Sequence, residues 1–84
     1  MQLPTVHSNG TSPDVLFDQV IDAADAVRHA IDAVDAAGPN GRDYYLQGGS
    51  AFRVAAEEHA SRIHRLASVL QELEQSAEYL ADYV

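Results

Sequence analysis

The sequence predicts an all-α protein, an antiparallel two-helix hairpin of the coiled-coil type that self-associates, most simply into a four-helix dimer. Along two segments, apolar residues recur at alternating intervals of three and four, as in a helix with one buried seam. A glycine-rich stretch with the turn signal Asn40-Gly41 separates the two segments. We therefore expect a single helical domain at 12–84, preceded by a flexible arm at 1–11.

The first helix is predicted over 12–37. Residues 1–11 before it contain Pro, Gly, Ser and Asn without an apolar period, which is typical of an extended or disordered arm. Ser12 is expected to cap the helix and Pro13 suits its first turn. Gly38-Pro39 should end it, with Gly38 in the left-handed conformation. The predicted seam consists of Phe17, Val20, Ala24, Val27, Ile31 and Val34.

The second helix is predicted over 50–84, with Ser50 as its cap. It is longer than the first helix, so we expect its C-terminal stretch, from about residue 73, to be covered by a partner chain or by the arm. Its seam consists of Phe52, Ala56, His59, Ile63, Leu66, Leu70, Leu73, Ala77, Leu80 and Val84. The predicted oligomer interface consists of Leu73, Leu80, Tyr79, Tyr83 and His59.

His59 is the one polar residue of the second seam. A polar seam residue often fixes the register of a helical assembly. We expect a core histidine hydrogen-bonded to a neighbour or to its symmetry mate. A metal site is disfavoured because the residue four positions later is Ile63, which is not a ligand.

The charge of the chain excludes several classes of function. Five basic residues, all Arg, stand against 13 acidic ones, for a formal net charge of −8. Such a chain is a poor candidate for direct nucleic-acid binding, which needs clustered positive charge. The absence of Cys excludes disulfides and thiolate zinc sites. No membrane span or signal peptide is predicted, so we expect a cytoplasmic protein, in a bacterial host if phage-encoded.

A stripe of aspartates follows the outer face of the first helix. It either mimics the phosphates of a nucleic acid or is a solvated face that keeps the protein soluble. The hairpin register predicts Arg62 near Asp25 and Arg65 near Asp22, and helical spacing predicts an Arg53–Glu57 pair. The acidic face comprises Asp18, Asp22, Asp25 and Asp32.

The loop at 38–49 is longer than a connection between two antiparallel helices requires. Its side chains suit recognition, because Tyr offers a flat apolar face and Arg a forked donor. Alternatively, Tyr44, Tyr45 and Leu46 fold back to cap the hairpin, and both interpretations hold if one Tyr points inward and the other outward. The candidate binding residues are Arg42, Asp43, Tyr44, Tyr45, Gln47 and, from the second helix, Arg62.

The second half of the chain resembles short, uncharacterised helical proteins of phages and bacterial mobile elements. The matching features are Gly41-Arg42-Asp43-Tyr44-Tyr45, Gln47-Gly48, Ala51-Phe52, Glu58-His59 and Arg62. The resemblance implies an accessory protein of a phage-like genome, and it favours an inhibitor because many small acidic phage proteins oppose host defences. It transfers no functional residues to this chain.

No catalytic constellation, phosphate-binding loop or cofactor motif is present in the sequence. We therefore predict a non-enzymatic protein without a cofactor, which binds and inhibits a host protein as a counter-defence. One alternative is an oligomer that sequesters a nucleotide-type molecule through residues 42–47. The other is a structural assembly unit.

Overall fold

A computed structural model describes all residues, 1–84, and shows two long helices packed against each other. Helix α1 spans Pro13–Ala36 and helix α2 spans Ala51–Ala81, with no strand in the chain. Two short 3₁₀ turns, Gly41–Asp43 and Tyr45–Gln47, lie between them. The particle is elongated, with extents of 62 × 20 × 17 Å. The predicted helical hairpin is therefore confirmed, with both helices slightly shorter than expected.

The ends of α1 form as the sequence predicts, with one exception. The Ser12 hydroxyl accepts a hydrogen bond of 3.4 Å from the backbone N–H of Val15. At the other end, the expected left-handed conformation of Gly38 is wrong, because Gly48, with φ of 112°, is the glycine with a positive φ. Instead, the backbone N–H of Gly38 donates to the carbonyl of Asp35 at 3.1 Å. This tight last turn satisfies a terminal carbonyl without a left-handed residue.

The two predicted seams face the interior of the hairpin. Every seam position of α1 is buried or half-buried. The same holds for the seam positions of α2 between residues 56 and 80. The buried residues are Ala24, Ala77 and Leu80. These three residues come from the first half of α1 and the last turns of α2, so the tightest packing lies at that end of the molecule.

The register of the two helices differs from the predicted one. Arg28 of α1 reaches Glu74 of α2 at 3.3 Å. The expected proximity of Arg62 to Asp25 and of Arg65 to Asp22 is wrong. The reason is the loop, whose second 3₁₀ turn contacts α2, so that α1 ends opposite His59 rather than opposite the start of α2.

This shift moves the uncovered part of α2 to its opposite end. Helix α1 now lies along the C-terminal part of α2, and Phe52 and Val54 at the N-terminal end are each 43% exposed. The C-terminal stretch was predicted to be covered by a partner chain or by the arm, and the structure shows the second of these arrangements. The N-terminal arm folds back on that stretch, where the carbonyl of Pro4 accepts a 3.0 Å hydrogen bond from the hydroxyl of Tyr79.

Candidate functional site

The loop between the helices is anchored by two local interactions. The side chain of Asn40 accepts a hydrogen bond of 3.1 Å from the backbone N–H of Arg42, which starts the first 3₁₀ turn. The ring of Tyr44 packs on that of Phe52, with a centroid separation of 6.3 Å and an angle of 55°. Tilted aromatic pairs of this kind are favourable. The loop is therefore fastened to the first turn of α2 through Tyr44.

The next two residues point into solvent. Tyr45 is 72% exposed and Leu46 is 86% exposed. Tyr44 is half-buried against Phe52 while Tyr45 is exposed, so the structure shows the predicted alternative in which one Tyr points inward and the other outward, rather than capping by all three residues. The side chains of Arg42, Asp43 and Gln47 are exposed as well. The resulting surface, which we call the loop tip, consists of Arg42, Asp43, Tyr45, Leu46 and Gln47.

A second surface lies between the helices and was not predicted from the sequence. It is an open groove of about 320 Å³ lined by Val34 and Leu66, with Val69 beside them. Two arginines, Arg62 and Arg65, line the same groove. The signal in the sequence was Val69, an apolar residue outside the predicted seam of α2. We refer to these five residues as the open groove.

The arginines of the chain divide into paired and unpaired sets. Arg28 bridges Asp25 at 2.8 Å and Glu74 at 3.3 Å. Arg53 pairs with Glu57 at 2.9 Å, as predicted. The guanidinium groups of the open groove form no ion pair, and Arg65 donates only to the backbone carbonyl of Ser61 at 3.3 Å. The guanidinium groups of Arg62 and Arg65 are therefore free to pair with a negatively charged group from outside the chain.

The residues predicted to form an oligomer interface are largely occupied within the chain. Leu80 is only 1% exposed, so it has no free surface to offer a second copy. Tyr79 is held by the arm, and Tyr83 packs on it with a ring separation of 5.5 Å. Leu73 is half-buried in the seam.

His59 of α2 lies opposite the C-terminal end of α1. It is half-buried, and its side chain forms no hydrogen bond within the chain. Its imidazole lies against Gly38, so that a Cβ atom on that glycine would stand 3.1 Å from Nε2. The expected hydrogen bond to a neighbour in the chain is therefore absent, and the imidazole packs against Gly38.

The environment of Tyr79 disfavours its ionised form. The neighbouring hydroxyl of Tyr83, followed by burial, raises the pKa of Tyr79 above its ordinary value of 10.0. The hydrogen bond that Tyr79 donates to the carbonyl of Pro4 requires the same protonated form. The neutral phenol is thus the form that holds the arm.

The aspartates of the acidic face are all exposed, and Asp25 alone among them joins an ion pair. No group of three or more His, Asp or Glu side chains is placed to hold a metal ion. Neither helix combines the length and the hydropathy that a membrane span needs.

No protein-family model, no curated protein and no solved structure matches this chain at a significant level. The resemblance to phage and mobile-element proteins thus stays a prediction.

Proposed function

We propose that this protein is a small, non-enzymatic accessory protein of the phage type, which binds a host protein in the bacterial cytoplasm and inhibits it as a counter-defence. The observation that carries the proposal is the loop tip, where Tyr45 and Leu46 are 72% and 86% exposed. Large apolar side chains placed side by side on the surface are typical of an interaction site.

The loop tip has the features of an energetically important contact. Tyr44 on Phe52 and the turn at Asn40 hold the loop in place, so less conformational entropy is lost when a partner binds. Tyr and Arg are also the residue types most enriched at the centre of protein interfaces. Tyr45 supplies the apolar anchor, and Arg42 supplies a donor for a carboxylate or a carbonyl of the partner.

The experiment is capture of host proteins from a lysate, followed by assay of the purified partner. We expect one host protein to be retained, and its activity to fall as this protein is added. Tyr45→Ser with Leu46→Ser should abolish both effects. The matched control is Val15→Ser with Val84→Ser, which removes two exposed apolar side chains elsewhere. If both double variants bind equally well, the loop tip is not the contact.

The acidic face is a second contact to examine within the same proposal. Asp18, Asp22, Asp25 and Asp32 are exposed along one helix, as a mimic of nucleic-acid phosphates requires. Changing all four to Asn should abolish binding if the partner uses a basic groove. If the four-Asn variant binds the partner with unchanged affinity, the aspartates contribute only to the solubility of the protein.

A nucleotide-type ligand held by residues 42–47 is the second candidate function. It is supported by the unpaired guanidinium of Arg42 on the same loop as the exposed ring of Tyr45. A ring can stack on a base while the guanidinium meets a phosphate. The test is calorimetric melting with cyclic and linear nucleotides, and an unchanged melting temperature with all of them contradicts this candidate.

We further propose that the chain self-associates, with a four-helix dimer as the simplest form. Only three residues of 84 are buried, and so small a core is marginal without added burial from a partner. Because Leu80 is buried within the chain, a dimer would use other apolar residues, such as Phe52 and Val54 at the uncovered end of α2. Light scattering after gel filtration distinguishes a dimer from a monomer, and a monomer at high concentration contradicts this proposal.

A further inference from the structure

The open groove continues the path of the N-terminal arm. Arg62, Val69 and Ser76 follow one another at intervals of seven, which places them along one face of α2. The sulfur of Met1 lies 3.6 Å from the hydroxyl of Ser76. The arm thus covers this face at Ser76. The groove at Arg62 and Val69 lies about 10 Å further towards the N-terminal end of α2, and it is open.

The groove combines an apolar floor with an unused positive charge. Its floor consists of Val34, Leu66 and Val69, and its arginines have no carboxylate partner. The chain has 13 acidic residues against five arginines, so the lack of a partner for Arg62 and Arg65 is not a shortage of carboxylates. It follows from the register, which sets Val34 rather than an aspartate of α1 beside Arg62.

We propose that the open groove binds an extended, acidic segment of a partner protein. The segment would lie in line with the arm, with apolar side chains on Val34, Leu66 and Val69 and carboxylates on Arg62 and Arg65. This deepens the proposed function, on which it rests, by stating the chemistry of the host protein: it carries an exposed strand or tail in which acidic and apolar residues alternate.

Other occupants fit the groove less well. A small molecule would leave much of its surface in water, since the groove is open along its length and small-molecule sites usually enclose their ligands. A nucleic acid needs a larger cluster of positive charge than the two arginines of the groove provide.

The test uses two labelled eight-residue peptides, one alternating leucine with glutamate and the other leucine with lysine. Fluorescence anisotropy should show the glutamate peptide binding at least about tenfold more tightly, because two of its carboxylates can pair with Arg62 and Arg65. Amide shifts in NMR spectra should map the glutamate peptide to Val34 and Val69.

Two variants with equal charge separate the groove from the net charge. Arg62→Gln with Arg65→Gln should remove the preference for the glutamate peptide. Arg28→Gln with Arg53→Gln removes the same charge at residues outside the groove, and it should keep the preference. Reversal of the groove charge, by Arg62→Glu with Arg65→Glu, should favour the lysine peptide instead.

The inference is overturned by equal binding of the two peptides, by shifts that map elsewhere, or by equal effects of the two Arg→Gln double variants. A dimer that dissociates on Arg62→Gln with Arg65→Gln, together with no peptide binding, would assign the groove to a second copy. The peptide result is independent of host-protein capture, so failure of the groove proposal and failure of the proposed function are distinguishable.

Discussion

The hydroxyl of Tyr79 donates a hydrogen bond of 3.0 Å to the carbonyl oxygen of Pro4, joining two residues 75 positions apart in the chain. One turn earlier on α2, Ser76 lies against Met1. The arm residues Leu3 and Val6 are half-buried. The arm is thus a third packed segment, beside α1 and α2, at the end of the molecule where the core is tightest.

Tyr79→Phe should loosen the arm without changing the helices. The variant keeps the ring but removes the donor, and a hydrogen bond of this kind contributes about 0.5–1.5 kcal/mol to the free energy of unfolding. Urea denaturation measures that loss, while the methyl resonances of Leu3 and Val6 should move towards unfolded positions. Unmoved resonances would show that the arm is held by apolar contacts alone.

Alkaline pH should release the arm. The pKa of Tyr79 in the folded protein is raised above 10.0, so folding stabilises the neutral phenol. This contribution to the free energy of unfolding is fully present below pH 10 and is lost as the pH rises through the folded-state pKa. Urea midpoints from pH 8 to pH 11 should therefore fall more steeply for the natural chain than for Tyr79→Phe. Parallel curves would mean that Tyr79 does not govern the effect.

Leu80→Ala should be among the most damaging substitutions. Leu80 is 1% exposed, and removal of a fully buried leucine costs about 2–5 kcal/mol. The free energy of unfolding of a chain with so small a core is too low to absorb a loss of this size. We therefore expect circular dichroism to show loss of helix at 37 °C. Leu46→Ala is the matched control at an 86% exposed position, and its melting curve should coincide with that of the natural chain.

Gly38→Ala should destabilise the hairpin through contact with His59. The new Cβ atom would stand 3.1 Å from Nε2 of His59 and 3.2 Å from the carbonyl oxygen of Asp35. We expect a loss of about 1 kcal/mol, of which a substantial part disappears in a His59→Ala background, since residues in contact couple by about 0.5–3 kcal/mol. Denaturant titration of the four proteins gives the coupling, and strictly additive losses would contradict the contact.

The helices could be predicted because each has a local cause in the sequence. The period of three and four marks the buried face, and Ser12 and Pro39 limit α1 through the chemistry of its ends. The register could not be predicted in this way. It depends on how the loop folds, and the loop fold depends on the contact between Tyr44 and Phe52.

The candidate site shows the same division. The composition of the loop predicted a recognition surface, but Tyr44 and Tyr45 are adjacent and chemically identical, so only their surroundings separate the anchored ring from the exposed one. The open groove was missed because Val34 and Leu66 belong to regular seams. It exists because the shifted register leaves these residues partly uncovered.

The sequence by itself determined two amphipathic helices, the cap at Ser12 and an acidic surface, since each of these follows from residues within a few turns of one another, whereas the predicted cap Ser50 forms no side-chain hydrogen bond to the start of α2. Tertiary structure alone decided which end of α2 is covered, where the arm lies and which arginines stay unpaired. The physical reason is that repeating apolar seams allow several registers of similar burial. The choice among them is made by contacts between distant residues, such as Arg28 with Glu74 and Pro4 with Tyr79.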